Sequence, residues 1–254
     1  MSPMTADIVL TLRAAGCVFA EDEADLLVAA ASSPAELDEM VALRVAGLPL
    51  EQVVGWAEFC GLRILLEPTV FVPRRRTEVL ASLADGLTGE RATVVDLCCG
   101  SGALGAVLLA AHPGIDLHAA DIDPVAVRCA RRNLDGQVYE GDLYDALPAR
   151  LRGAVDVLVV NAPYVPTAAI ATMPPEARVH EARVALDGGS DGLDVHRRVA
   201  AHAARWLAPG GHLLIETSER QAPVAVALFE AAGLSPRVES DDEAGATVVI
   251  GRRP

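Results

Sequence analysis

One stretch limits the folds open to this 254-residue chain more than any other. Val94-Val95-Asp96-Leu97 is an apolar run ending in an acid. Cys98-Cys99-Gly100-Ser101-Gly102 follows as a glycine-rich turn, and residues 104–111 continue as a helical apolar run. A strand that feeds a helix through glycines opens a βαβ unit, because glycine permits both the tight turn and a close approach of backbone to a ligand. The alternation then repeats. Residues 117–121 read as a second strand, and residues 124–133 as a helix with proline at its first turn. Residues 137–139 read as a short third strand. Residues 155–160 are almost wholly apolar, as a parallel strand covered on both faces should be. Further on, residues 193–206 predict a helix, and Pro209-Gly210-Gly211 a turn into a strand over 212–216. Residues 223–232 predict a helix, and residues 237–239 and 247–250 a terminal strand pair. The expected class is α/β, a doubly wound sheet with its site at the carboxyl ends of the strands.

The first 48 residues differ. Ile8, Leu12 and Ala15 recur at helical spacing, Asp22 is expected to cap a helix carrying Leu26, Leu27 and Ala30, and Ser33-Pro34 starts another that Gly47 stops. Residues 49–75 predict a β-hairpin, with Trp56 to Cys60 and Arg63 to Leu66 on either side of Gly61.

Composition narrows the function classes. The net charge is −14 and aromatic residues are 4% of the chain, a poor grip for a phosphate backbone. Nucleic acid is therefore not expected as a direct substrate. Five cysteines with no CxxC pair argue against a disulfide framework, and six scattered histidines with no HExxH argue against a metal site. No long uncharged apolar run and no signal peptide are apparent. The expectation is a cytoplasmic monomer without membrane contact.

Three signals carry chemistry. Gly100, Gly102 and Gly105 satisfy GxGxxG, a pattern shared by dinucleotide and S-adenosylmethionine (SAM) sites and by tight turns that bind nothing. Asp121 lies 19 residues after Gly102, at the end of the next strand, where a carboxylate can accept the ribose hydroxyls of an adenosyl group. Asp123, directly before Pro124, reads instead as a helix cap. Third, Asn161-Ala162-Pro163-Tyr164 ends the most apolar strand. A planar NH2 group is a poor nucleophile because its lone pair is delocalised. An Asn oxygen and a backbone carbonyl can accept its two N–H groups and free the lone pair for an electrophilic methyl group. Pro163 holds Ala162 extended, which aims that carbonyl, and Tyr164 can pack against the planar group.

With these motifs in this order, the chain resembles the protein-(glutamine-N5) methyltransferase family, whose members methylate the glutamine amide of a Gly-Gly-Gln loop in peptide chain release factors. The resemblance spans nearly the whole chain. Leu48-Pro49-Leu50 to Gly55 and Phe59-Cys60-Gly61-Leu62 are similar to the family's interdomain hairpin. Val72-Pro73-Arg74 with Thr77-Glu78 is similar to its IPRPETE segment. Met173-Pro174-Pro175-Glu176, Glu181-Ala182-Arg183, Ala185 to Gly189 and Asp191-Gly192-Leu193 are similar to the block after its NPPY motif. The resemblance implies a Rossmann-like SAM-dependent methyltransferase domain over 76–254, a hairpin linker over 49–75 and a helical substrate-recognition domain over 1–48. It implies SAM contacts from Asp96, Cys98, Cys99, Gly100, Ser101, Gly102, Asp121, Ile122, Asp142, Leu143 and Asn161. The acceptor amide would be held by Asn161, Ala162, Pro163 and Tyr164, with a release factor as partner.

Three departures stand out. NPPY is NAPY here, with Ala162 keeping the carbonyl. Leu143 stands where an adenine-side aromatic is frequent. RPETE reads Arg74-Arg75-Arg76-Thr77-Glu78, so Pro and Glu are both replaced by Arg. Such a triplet is expected to be a solvated basic patch, or else a contact for an acidic partner or RNA. The competing functions are amino methylation of a ribosomal protein, a nucleic-acid base or a small molecule, an NAD-dependent oxidoreductase, and a catalytically silent SAM-binding protein.

Overall fold

The computed structural model describes residues 3–254. Four helices come first: α1 (Pro3–Ala14), α2 (Ala20–Ala30), α3 (Pro34–Val45) and α4 (Leu50–Val54). Leu12, Ala20, Ala24 and Leu27 are wholly buried at their centre, and Leu50, Val53 and Val54 of α4 pack onto the same cluster. The helical unit therefore runs on to Val54, into the stretch read as hairpin. Ser33 caps α3 as expected, accepting from Glu36 N–H. Asp22 does not cap α2. That helix starts two residues earlier behind Phe19, and Glu21, Asp22 and Glu23 fall in its first turn, where they face the positive end of the dipole.

The hairpin pairs β1 (Trp56–Phe59) with β2 (Leu62–Leu65) in antiparallel register, Phe59 opposite Leu62. Cys60 and Gly61 form its two-residue loop, both at positive φ (50° and 74°), the backbone that matches strand twist. After α5 (Thr77–Asp85), which the sequence reading left unassigned, strands and helices alternate: β3 (Thr93–Leu97), α6 (Ala103–Ala111), β4 (Asp116–Asp121), α7 (Pro124–Asn133), β5 (Gln137–Glu140) and β6 (Val155–Val160). Then come α8 (Pro175–His180), α9 (Asp194–Trp206), β7 (Leu207–Thr217), α10 (Ala222–Ala231), β8 (Ser235–Asp241) and β9 (Ala246–Arg252).

The seven-stranded sheet has the order β5-β4-β3-β6-β7-β9-β8, parallel except at β9, which runs antiparallel to both neighbours. Alternate residues point to opposite faces. Val94, Leu117, Val157 and Val159 meet Leu80, Leu104, Leu108 and Val127 of α5, α6 and α7 on one face. Val95, Leu158, Val160 and Leu213 meet Val199, Ala203, Trp206 and Phe229 of α9 and α10 on the other. The doubly wound class is thus as expected. One boundary differs: β7 begins at Leu207 and carries Pro209, Gly210 and Gly211 as a bulge. A side chain at 211 would stand 2.6 Å from the Val155 carbonyl, which is why glycine occupies it. The strand order turns back between β3 and β6, and a crevice opens outside the strand ends at such a switch point. Among the described residues no helix is long and apolar enough to cross a membrane.

Candidate active site

The loop after β3 is built by its own backbone. Cys98 adopts φ +57°, Cys99 N–H donates to the Ala120 carbonyl (3.1 Å), and Gly102 N–H to the Cys99 carbonyl (2.7 Å). Each glycine has a separate reason. A side chain on Gly100 would meet nothing within 4 Å, so its face is open to a ligand. Gly102, at φ +79°, would place a Cβ 2.9 Å from Leu134, and Gly105 one 3.0 Å from Leu117. These two permit α6 to pack closely on β4 and the end of α7. Asn133, unread in the sequence, pins the loop from outside: its Nδ2 donates to the Ser101 and Leu65 carbonyls (2.8 and 2.9 Å).

Asp121 closes the loop from β4. Its Oδ2 accepts Gly100 N–H and its Oδ1 accepts Asp123 N–H, each at 2.9 Å. Burial raises its pKa against those two bonds. Asp123 caps α7, accepting Val125 N–H at 2.8 Å. Asp142 is paired with Arg198 of α9 at 2.7 Å, a partner 56 residues away that the sequence does not announce.

At the end of β6, Asn161 donates from Nδ2 to Thr77 Oγ1 at 3.4 Å, which leaves Oδ1 as the free acceptor. Among the described residues no donor pairs with the Ala162 carbonyl. The Tyr164 hydroxyl donates to Glu216 Oε1 at 2.9 Å, and burial first, then Glu216, raises its pKa, so it stays a neutral phenol. The Tyr164 carbonyl accepts from Gln221 Nε2 (3.0 Å). It also lies only 2.2 Å from where a Cβ on Gly192 would stand. Gly192 therefore lets the segment before α9 close on the motif, and Val165 bridges to Asp187 in the same segment.

One cavity joins these parts. Every predicted site residue lines it except Asp96 and Gly102. Gly102 is the packing glycine just described. Asp96 is fully buried behind the wall, where Oδ2 accepts Gly105 N–H at 3.1 Å and Oδ1 has no partner. Among the described residues, three of the four non-glycine residues at positive φ, Thr69, Cys98 and Leu143, line the same cavity. Unusual backbone of this kind collects at ligand sites.

Burial raises the Asp96 pKa to about 7, with the Gly105 N–H pulling the other way. The ordinary value is about 3.9, so the folded chain holds this proton more tightly than the unfolded one. The resulting stabilisation is full below about pH 4 and is lost as pH rises through 7. Asp96→Asn is expected to gain stability relative to the parent between pH 5 and pH 8, read from denaturant midpoints. A difference that does not change with pH would refute this.

The arginine triplet is not one solvated patch: Arg75 is exposed, while Arg74 and Arg76 are paired. Arg74 donates to both oxygens of Glu181 (2.6 and 2.7 Å), a carboxylate with a fully buried side chain that also accepts Val72 N–H. Arg76 donates from Nε to Glu216 Oε1 at 3.2 Å. Partners 107 and 140 residues away turned two of the three charges inward.

The Methyltransferase small domain signature matches residues 61–192. A release factor glutamine methyltransferase of Geobacter sulfurreducens is 35% identical over 84% of this chain and 76% of its own. The chain belongs to the release factor glutamine methyltransferase family. Members of this family are SAM-dependent methyltransferases. Another relative, the 4-amino-L-phenylalanine/4-methylamino-L-phenylalanine methyltransferase of Streptomyces pristinaespiralis, is 38% identical over 87% of this chain and 78% of its own. A solved methyltransferase from Pyrococcus furiosus shares the fold, with TM-score 0.58 at 17% identity, over 77% of this chain and 90% of that one.

Proposed function

We propose that this chain methylates the side-chain amide nitrogen of a glutamine, in the Gly-Gly-Gln loop of a peptide chain release factor, with SAM as donor. The supporting observation is the convergence of Asn161, Ala162, Pro163 and Tyr164 with Asp121 and the glycine loop in one cavity.

The residues present suit the donor. The Asp121 oxygens each carry one N–H bond and keep lone pairs for ribose hydroxyls. Ile122, 49% exposed at the cavity, and Leu143 offer apolar faces for a flat base. Gly100 leaves room for a ligand to reach the backbone. When bound, SAM supplies a methyl group already activated by its sulfonium, so the chain has no need of a strong base.

The chain's task is positioning. Thr77 fixes the Asn161 amide so that Oδ1 accepts one N–H of the incoming amide, and the Ala162 carbonyl accepts the other. The acceptor nitrogen is then held by oriented dipoles, with its lone pair directed across the cavity. Tyr164, kept in place by Glu216 and Gln221, supports the planar group.

Asp121→Ala is expected to weaken SAM binding by ~1.5–3 kcal/mol, the range for hydrogen bonds to a charged group. Calorimetry reads this directly, and unchanged affinity would refute the ribose assignment. The function itself is tested by transfer of labelled methyl from SAM to release factors of the same organism, each beside its Gly-Gly-Gln variant. Label on the parent factor and not on the variant is expected. A parallel arm with 4-amino-L-phenylalanine tests the chemistry named for the Streptomyces relative. Label there alone would overturn the release-factor assignment and keep the methyltransferase.

A further inference from the structure

The carboxylates of the cavity wall gather at one end. Asp121 and Asp123 stand at the end of β4 and Asp142 just after β5, where Arg198, also on the wall, pairs with Asp142. At the end beside Asn161 and Tyr164, the charged groups on the wall among the described residues are Arg74 and Arg76. Their carboxylate partners are not part of the wall. Glu181 and Glu216 stand behind, with side-chain exposures of 0% and 1%.

The two arginines are engaged differently. Arg74 sets Nη2 against both oxygens of the buried Glu181 and lies over Phe71, 4.8 Å from the ring centroid. Arg76 uses Nε for Glu216 and keeps a side chain 42% exposed, and no second carboxylate among the described residues pairs with it. Its guanidinium carbon is 5.9 Å from the Tyr164 ring centroid, and the next residue, Thr77, holds Asn161. A half-used guanidinium thus faces the space where the acceptor group would be clamped.

We propose that Arg76 is an anion subsite for the methyl acceptor, and that this chain takes acceptors that carry a carboxylate apart from the nitrogen that receives the methyl group. The planar fork of a guanidinium matches a carboxylate and gives direction as well as attraction. The inference rests on the reading of Asn161 to Tyr164 as the acceptor clamp. The carboxylate has two possible sources: a free amino acid, or an acidic side chain beside the acceptor residue of a protein.

The test is a titration of the protein, with S-adenosylhomocysteine present, against two matched pairs. The first is 4-amino-L-phenylalanine and its carboxamide. The second is the peptide acetyl-Gly-Gly-Gln-Glu-amide and its counterpart with Gln in place of Glu. The carboxylate member of at least one pair is expected to bind roughly 10- to 100-fold more tightly, the range for a charge-assisted hydrogen bond. Arg76→Gln should bring that ratio close to one, and Arg76→Lys should keep part of it. The ratio is taken within each variant, so a general loosening caused by unpairing Glu216 cancels. Preference in the first pair assigns a free amino acid, and preference in the second an acidic neighbour in a protein. No preference in either pair, a preference that survives Arg76→Gln, or no binding by any of the four overturns the proposal. Because binding needs no methyl transfer, the two readings fail separately. A preference lost in Arg76→Gln without any methylation keeps the subsite and removes the enzyme assignment. Methylation of the peptides without a preference does the reverse.

Discussion

Asn161→Ala is expected to lower kcat by about 10²–10³-fold, the loss seen when one oriented polar group is removed from a site that works by fixed dipoles. The reason lies in the local geometry. Thr77 accepts from Nδ2 and so commits Oδ1 to the acceptor. Without Oδ1 the acceptor amide keeps only the Ala162 carbonyl, and its nitrogen can rotate back into conjugation with its own carbonyl. SAM affinity should change far less than turnover, because the glycine loop and Asp121 are untouched. Single-turnover transfer of labelled methyl, with SAM saturating, separates the two. Near-parental turnover in the variant would sink the amide clamp. Loss of SAM binding in proportion to activity would place Asn161 with the donor instead.

Arg74→Ala should destabilise the fold by about 3 kcal/mol, toward the lower end of the range for breaking a buried pair, since Arg74 itself is partly exposed. Glu181 is the vulnerable partner, with its side chain out of water and held by Arg74 and the Val72 N–H. Burial raises its pKa, and Arg74 and that N–H oppose the rise. Removal of the guanidinium leaves the carboxylate to take up a proton or draw in solvent. Glu181→Gln should cost less, because the amide oxygen still accepts from Val72 and Arg74 can turn toward solvent. Urea midpoints of the two variants decide the matter. Equal, small losses would show that the pair adds little to stability and that Phe71 packing holds the segment.

How far the sequence could be read depended on distance along the chain. Local signals were sufficient where neighbours decide the structure. Ser33 before Pro34, Asp123 before Pro124 and Cys60-Gly61 each appear in the role their turn chemistry requires. The apolar run at 155–160 is β6, and the acids and polar groups at the ends of β3, β4 and β6 converge because a doubly wound sheet brings strand ends together. Periodicity failed where packing from elsewhere takes over. The short turns of helix on either side of α8 carry little pattern of their own, whereas Thr77, Leu80, Ala81 and Ala84 of α5 do recur at helical spacing. Arg198, Gln221 and Glu216 reach the site from α9, α10 and β7 by tertiary contact alone. The pairing of Arg74 and Arg76 escaped the sequence for the same reason, while Arg75 is exposed as expected. A run of like charges looks solvated until distant carboxylates are folded behind it.

The position of β9 has a consequence for the birth of the molecule. It is the last strand in chain order, yet it lies between β7 and β8, and its Val248, Val249 and Ile250 are wholly buried. During synthesis from the amino end, β7 must wait with one flank unpaired until some thirty further residues have emerged. An interrupted chain would present that flank, Leu213 to Ile215 included, as a sticky edge. The sheet is therefore sealed only once β9 has emerged, and a chain broken off before it is expected to aggregate rather than to keep partial activity.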